Sequence, residues 1–215
     1  MPRLLVVLLL LLSLPSVALG DRGGIYLGGQ LGANLIDSVE AVGPNGSFSL
    51  IPTAGGMGTL VLGYDFADSH PRLAKGRVEI ELGVRQNPLD TVEFSSGEFA
   101  AAGDLSALSV LMNFFYEYRG LDPLLVYYGV GGGVARVTMN GVTVDGSPLV
   151  DDEDDVLAYQ AGLGLGYRLT PALTFDLGYR YFATEDLDLV DVRGRELTTD
   201  FQNHSIVLGL RYLFQ

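Results

Sequence analysis

Between residues 76 and 85 the chain alternates without a break. Val78, Ile80, Leu82 and Val84 occupy one parity, and Arg77, Glu79, Glu81 and Arg85 occupy the other. Side chains of an extended strand point alternately to opposite faces, so this stretch predicts a strand with one apolar and one charged face. Such a strand must separate two different environments.

The same period recurs along the chain. In 104–118, Leu108, Val110, Met112, Phe114, Tyr116 and Tyr118 oppose Ser109, Asn113 and Glu117. In 156–169, Ala161, Leu163, Leu165 and Tyr167 oppose Gln160, Gly162, Gly164, Gly166 and Arg168. In 172–182, Leu173, Phe175, Leu177, Tyr179 and Tyr181 oppose Thr174, Asp176, Gly178 and Arg180. In 204–214, Ile206, Leu208, Leu210, Tyr212 and Phe214 oppose Ser205, Gly209 and Arg211. The Gly-rich stretches 24–36 and 125–138 and the segment 55–66 complete a set of eight strands. In 125–138 the adjacent Tyr127 and Tyr128 compete for one face, so parity there stays open.

Connections alternate in length. Short links near 67–75, 119–124 and 170–172 contain Pro71, Pro123 and Pro171. Long ones fall at about 37–54, 87–103, 139–155 and 183–203. Short and long in turn is the pattern of an up-and-down antiparallel barrel crossing a membrane, with tight turns at one end and extended loops at the other. The expected fold is therefore all-β, an eight-stranded antiparallel up-and-down transmembrane β-barrel over residues 21–215.

Period two alone does not say which face meets lipid, and a soluble eight-stranded barrel would put the apolar parity inside. Three features favour apolar outward. Tyr64, Phe66, Phe114, Tyr116, Tyr118, Tyr167, Tyr212 and Phe214 gather on the apolar parity near the short turns, as an interfacial girdle does. Gly28, Gly32, Gly83, Gly162, Gly164, Gly166, Gly178 and Gly209 share the polar parity, where a narrow lumen leaves little room. Charges on that parity balance: Arg77, Arg85, Arg168, Arg180 and Arg211 against Asp65, Glu79, Glu81, Glu117 and Asp176. Charges withdrawn from water need partners. This reading makes the lumen an ion-pair plug, since eight strands leave an interior that side chains fill.

The N-terminus reads as an export signal. Arg3 precedes the apolar run Leu4 to Leu12, and Ala18 and Gly20 form a small-residue cleavage site. Residues 1–20 are expected to be a cleaved signal peptide. The run is shorter than the about 20 apolar residues of a membrane-spanning helix. The sequence contains no Cys, which excludes disulfides, thiolate metal sites and thiol nucleophiles. A net charge of -13 argues against nucleic acid as a partner.

The stretch from His204 to Phe214 resembles the closing strand of small outer-membrane β-barrel proteins, the OmpA-like and Opa-like barrels loosely called the porin family. Gly24 to Gly32 and Thr170 to Phe182 are similar to other strands of that family. The resemblance implies that Tyr212 and Phe214 belong to a C-terminal signal read by the outer-membrane assembly machinery, although Gln215 follows the aromatic that usually ends it. It implies integral residence in a bacterial outer membrane, lipid and lipopolysaccharide as surroundings, and a structural or surface-interaction role. A monomer is favoured. The alternatives are a narrow channel for small solutes or ions and, more remotely, a lipid-A-modifying enzyme.

Most of the 26 acidic residues fall in the four long connections, expected to be extracellular loops. Asp151 to Asp155 is the densest run. Carboxylates are ligands for hard cations such as Ca²⁺. The spacing does not fit an EF-hand loop, so a solvated acidic loop is expected instead. Divalent cations bridging these loops to lipopolysaccharide phosphates are a looser expectation. His70 and His204 are the only histidines. Barrel lipid-A deacylases use a His/Ser/Glu set, and His204 precedes Ser205. Neighbours on a strand point to opposite faces, so this pair does not make a base and its nucleophile. No catalytic residue, cofactor site or metal site is assigned.

Overall fold

A computed structural model describes residues 23–36, 38–44, 46–66 and 75–214. The expected signal segment 1–20, and His70 and Pro71 in the first short link, lie outside these residues. The strands run β1 (Gly24–Leu35), β2 (Val39–Gly43), β3 (Gly46–Pro52), β4 (Gly55–Asp65), β5 (Gly76–Phe94) and β6 (Gly97–Leu121). They continue as β7 (Leu124–Val144), β8 (Ser147–Arg168), β9 (Leu173–Thr184), β10 (Leu187–Val190), β11 (Glu196–Thr199) and β12 (Gln202–Leu213).

Eight of these close a ring in the order β5–β4–β1–β12–β9–β8–β7–β6, with β6 returning to β5. All neighbours in it are antiparallel. Closure leaves no exposed edge in the ring, as a barrel in lipid requires.

The faces are inverted relative to a water-soluble protein. Ile80 is 53 % exposed, whereas Glu81 beside it is 1 % exposed. Leu27, Leu31, Leu60, Leu62, Leu82, Val110, Leu163, Leu177, Ile206 and Leu208 all point outward. Such a continuous apolar belt is unfavourable against water and favourable against hydrocarbon. On β6 the belt runs from Leu108 to Tyr118, matching the ~9–11 residues of a tilted bilayer-crossing strand. Tyr127 is buried and Tyr128 faces out. That settles the parity of β7.

The four segments expected as long loops are mostly strand. β5 to β8 run past the belt as two long hairpins, and β2–β3 and β10–β11 form two more. Together they build a second ring above the first, here termed the crown. β3 pairs with β5, β11 meets β2 through Thr198 and Val42, and β10 lies beside β8. The physical reason is burial. Above the belt the inner parity turns apolar: Leu50, Leu89, Val92, Leu105, Val137, Met139, Val150, Leu187, Leu189, Leu197 and Phe201 form one buried cluster. The crown is thus apolar inside and polar outside. A bulge between Pro88 and Thr91 lets β5 change the parity it turns inward. At the β7–β8 tip, Asp145 and Gly146 both have positive φ, as a tight two-residue hairpin turn requires.

Candidate functional site

The lumen is filled from the turn end upward by a connected set of charged side chains. Strand alternation aims them inward from β4, β5, β6, β9 and β12, and β1 adds Tyr26. Arg211 binds Asp176 through Nε to Oδ2 at 2.6 Å and Nη2 to Oδ1 at 3.0 Å. Its Nη2 also donates to Glu117 at 3.0 Å. Arg77 donates to Glu117 and, from Nε, to Glu79 Oε1 at 2.8 Å. The Tyr26 hydroxyl donates to the same Glu79 oxygen at 2.6 Å. Arg119 links Glu117 at 3.1 Å to Asp65 at 2.6 Å near the mouth.

A second cluster lies above. Glu81 accepts from Asn113 at 3.2 Å and Gln160 at 3.1 Å, with Arg85 at 3.8 Å. Arg85 donates to Ser109 at 3.0 Å and stacks 4.0 Å above the Phe182 ring. Between the clusters, Phe115 carries Arg77 and Arg180 at 4.7 and 4.5 Å from its ring centre. Arg180 lies where a side chain on Gly162 would stand, and the Tyr127 hydroxyl takes the space beside Gly164 and Gly178. The glycines thus clear room for the large inward groups. Asn34, Asn87, Asn203 and Ser205 make an uncharged polar layer, with the Ser205 hydroxyl 2.7 Å from Asn34 Oδ1. The apolar core of the crown closes over it.

The sequence placed Arg168 in this network, and it keeps the inward parity of β8 but stands at the turn-end opening of the lumen. Arg168 ends β8 beside a turn, is part-exposed and reaches Asp122 at 2.9 Å. Arg119, which the sequence reading omitted, takes the inward position that pairs with Asp65. Its signal was present, since Arg119 shares the parity of Glu117. Asn113 and Gln160 stand on the inward parity as expected, whereas Gln30, Asn34, Asn87, Asn203 and Tyr26 were missed, because uncharged polar groups carry no charge pattern.

The acidic run forms part of a strand. Asp151, Glu153 and Asp155 face out, where Arg136 reaches Glu153 at 3.2 Å and grips Asp155 at 2.8 and 2.7 Å. The hydrogen bond from Arg136 holds the Asp155 carboxyl below the usual range. Asp152 and Asp154 take the opposite parity. Asp152 Oδ2 accepts the backbone N–H of Val190 at 2.7 Å, and Asp154 Oδ2 accepts that of Asp188 at 3.0 Å. They close the seam between β8 and β10, where the ladder supplies one bridge, Val150 to Asp191. The expected solvated loop is therefore corrected. Alternation splits the five carboxylates between two faces. Among the described residues, no group of acids and histidines is gathered to hold a metal ion.

His204 and Ser205 do point apart. The His204 ring sits on the outer face with Nδ1 2.6 Å from the Tyr179 hydroxyl, and Ser205 is buried in the lumen.

Residues 4–214 match the family described as outer membrane protein beta-barrel domain. No curated protein sequence matches. Several solved structures are similar. The outer membrane protein OprG from Pseudomonas aeruginosa is 16% identical, covering 89% of this chain and 97% of its own, at a TM-score of 0.61. Neisserial surface protein A is 18% identical, covering 90% and 99%, at 0.53. The outer membrane protease OmpT from Escherichia coli is 11% identical, covering 93% and 99%, at 0.50. At these identities the likeness is one of fold, and shared fold does not carry activity. Its apolar belt, its closed ring and the family match over nearly its whole length make this chain a member of the outer membrane β-barrel protein family, integral to the bacterial outer membrane.

Proposed function

We propose that the protein is a closed, non-conducting barrel that anchors a β-structured acidic crown at the cell surface, where it serves a structural or surface-interaction role. One observation carries this reading: the inward parity is occupied along its whole height. Ion pairs fill the lower lumen, amides the middle and aliphatic side chains the crown. A conducting pore needs a continuous polar path, and the buried Leu105, Val137, Met139 and Phe201 lie across it. The lumen charges balance as five cations, Arg77, Arg85, Arg119, Arg180 and Arg211, against Asp65, Glu79, Glu81, Glu117 and Asp176. That neutrality suits a plug more than a selective conduit.

The reading is non-enzymatic. His204 and Ser205 occupy opposite faces and each is engaged elsewhere. The surroundings proposed for the crown are lipopolysaccharide, approached through divalent cations at outward carboxylates such as Asp151 and Glu153. The residues from His204 to Phe214 are proposed as the part read by the assembly machinery, and the cleaved segment 1–20 as the export signal.

Orientation is directly testable, because the sequence has no Cys. Asp145→Cys, at the crown tip, should react with a membrane-impermeant maleimide on intact cells. Lys75→Cys, at the opposite end, should react only after permeabilisation. The reverse pattern would put the crown in the periplasm and end the surface reading.

A further inference from the structure

On the outside of the barrel, β6 to β9 form an apolar groove of about 300 Å³. This is at the low end of the ~300–1,000 Å³ typical of small-ligand sites. Phe114, Tyr128, Leu163, Tyr179 and Tyr181 line it together with Ala161. Ala161 stands in register between Val130 on β7 and Tyr181 on β9, and its single methyl leaves the recess between larger neighbours. The groove crosses the belt obliquely, with its middle at Ala161 and Leu163 on β8 and its ends at Tyr116 on β6 and Tyr181 on β9. On β8 the outward residues are Leu157, Tyr159, Ala161, Leu163, Leu165 and Tyr167, and Ala161 and Leu163 are the central two.

The opposite face differs. There β12, β1, β4 and β5 present Leu208, Leu31, Leu60 and Leu82, all aliphatic and well exposed. One side of the barrel is thus a flexible aliphatic carpet. The other is a recess with rigid aromatic walls, and two of those walls are fixed from the rim. Tyr179 is held by His204, and the Tyr181 hydroxyl donates to Gln202 at 3.0 Å.

At this depth the surrounding medium is hydrocarbon, so the choice of occupant is narrow. An unfilled recess forfeits dispersion contacts along its walls, and a flexible chain restores them. Rotating Leu side chains on the far side offer no such preformed surface. We propose that this groove holds one acyl chain of a bilayer lipid as a resident ligand, distinct from the exchanging lipid around the rest of the belt. The inference goes beyond the surface role and rests only on the membrane placement of the belt.

Native mass spectrometry of the folded barrel, released from phospholipid nanodiscs into detergent, tests it. The expected result is a barrel carrying one phospholipid, with the adduct lost in Ala161→Phe and kept in Leu208→Phe on the far face. Heat-modifiable gel migration establishes that each variant is folded. A second measurement is independent of any variant. After detergent exchange, NOEs from lipid methylenes should persist at the Ala161 and Val130 methyls and be absent at Leu208. A bare wild-type barrel, an adduct indifferent to Ala161→Phe, or equal NOEs on both faces would each overturn the proposal. So would a doubled barrel mass abolished by Ala161→Phe, which would make the occupant a second copy of the chain.

Discussion

Arg211 on β12 and Asp176 on β9 meet at two points inside the barrel, at 2.6 and 3.0 Å, and neither side chain has appreciable contact with solvent. The pair ties two neighbouring strands from within, where the ladder already ties their backbones. Removing one partner strands the other charge. For buried pairs this costs about 3–5 kcal/mol. Glu117 still accepts from Arg211, so Asp176→Leu should fall near the lower end. The urea midpoint for unfolding from lipid vesicles measures it. Pairing that change with Arg211→Met should recover much of the loss. An unchanged midpoint in the single variant would mean that the pair contributes nothing.

Three consecutive glycines on β7 test the direction of the faces one residue at a time. A side chain on Gly131 would collide with Asn113 and the Met112 carbonyl, and one on Gly133 with the Val110 carbonyl. At Gly132 the nearest atom is 3.6 Å away, and the residue faces outward. Gly131→Val should therefore be destabilising by about 1–3 kcal/mol or more, the usual result of overpacking. Gly132→Val should be close to neutral, with yield of the heat-modifiable folded form as the readout. Equal effects at the two positions would contradict the assigned parity.

The seam between β8 and β10 depends on side chains where other junctions use backbone. Asp152→Ala with Asp154→Ala removes the acceptors for the Val190 and Asp188 amides. Each lost bond costs about 0.5–1.5 kcal/mol locally. Hydrogen exchange at those two amides should accelerate, while the amides of β1 and β12 stay protected. Asn at both positions keeps a carbonyl acceptor and should restore most of the protection. Unchanged exchange in the Ala variant would remove these carboxylates from the closure of the crown.

Asp191 supplies a pH dependence with a definite sign. It accepts from Arg195 Nε at 2.6 Å and from the backbone of Arg195 and Arg193 at 2.9 and 2.8 Å. These bonds, the Arg195 side chain first, hold its carboxyl below the usual range. A depressed carboxyl stabilises the fold above its unfolded value of ~3.9, and that contribution disappears as pH falls through the folded value. The turn between β10 and β11 should thus stay closed at neutral pH and loosen only in acid. An NMR titration of the Asp191 carboxyl carbon should place its midpoint under ~3.9. A midpoint above that would contradict the arrangement.

Strands that cross the belt were legible because two environments impose strict alternation, as Val78 to Arg85 shows. The crown was not legible. Asp151 to Asp155 carries charge on both parities, so it reads as a loop although it is β8. Its strand character comes from the partners it meets, Met139 to Arg136 on one side and the β10 amides on the other. The β5 bulge near Pro88 also breaks the period where the strand leaves the belt. Charge balance in the lumen could be inferred without geometry, and one member, Arg119, was missed. Arg168 and Arg119 both sit at strand ends on the inward parity, and Arg119 reaches Asp65 and Glu117 while Arg168 reaches Asp122 in the turn.

Side chains fill the inward parity from mouth to crown. Single-channel recording of the purified protein in planar lipid bilayers asks whether that filling blocks ions. A membrane that stays silent under applied voltage is expected, with insertion verified by protease protection of the barrel. Discrete, reproducible openings from the folded wild-type protein would contradict it.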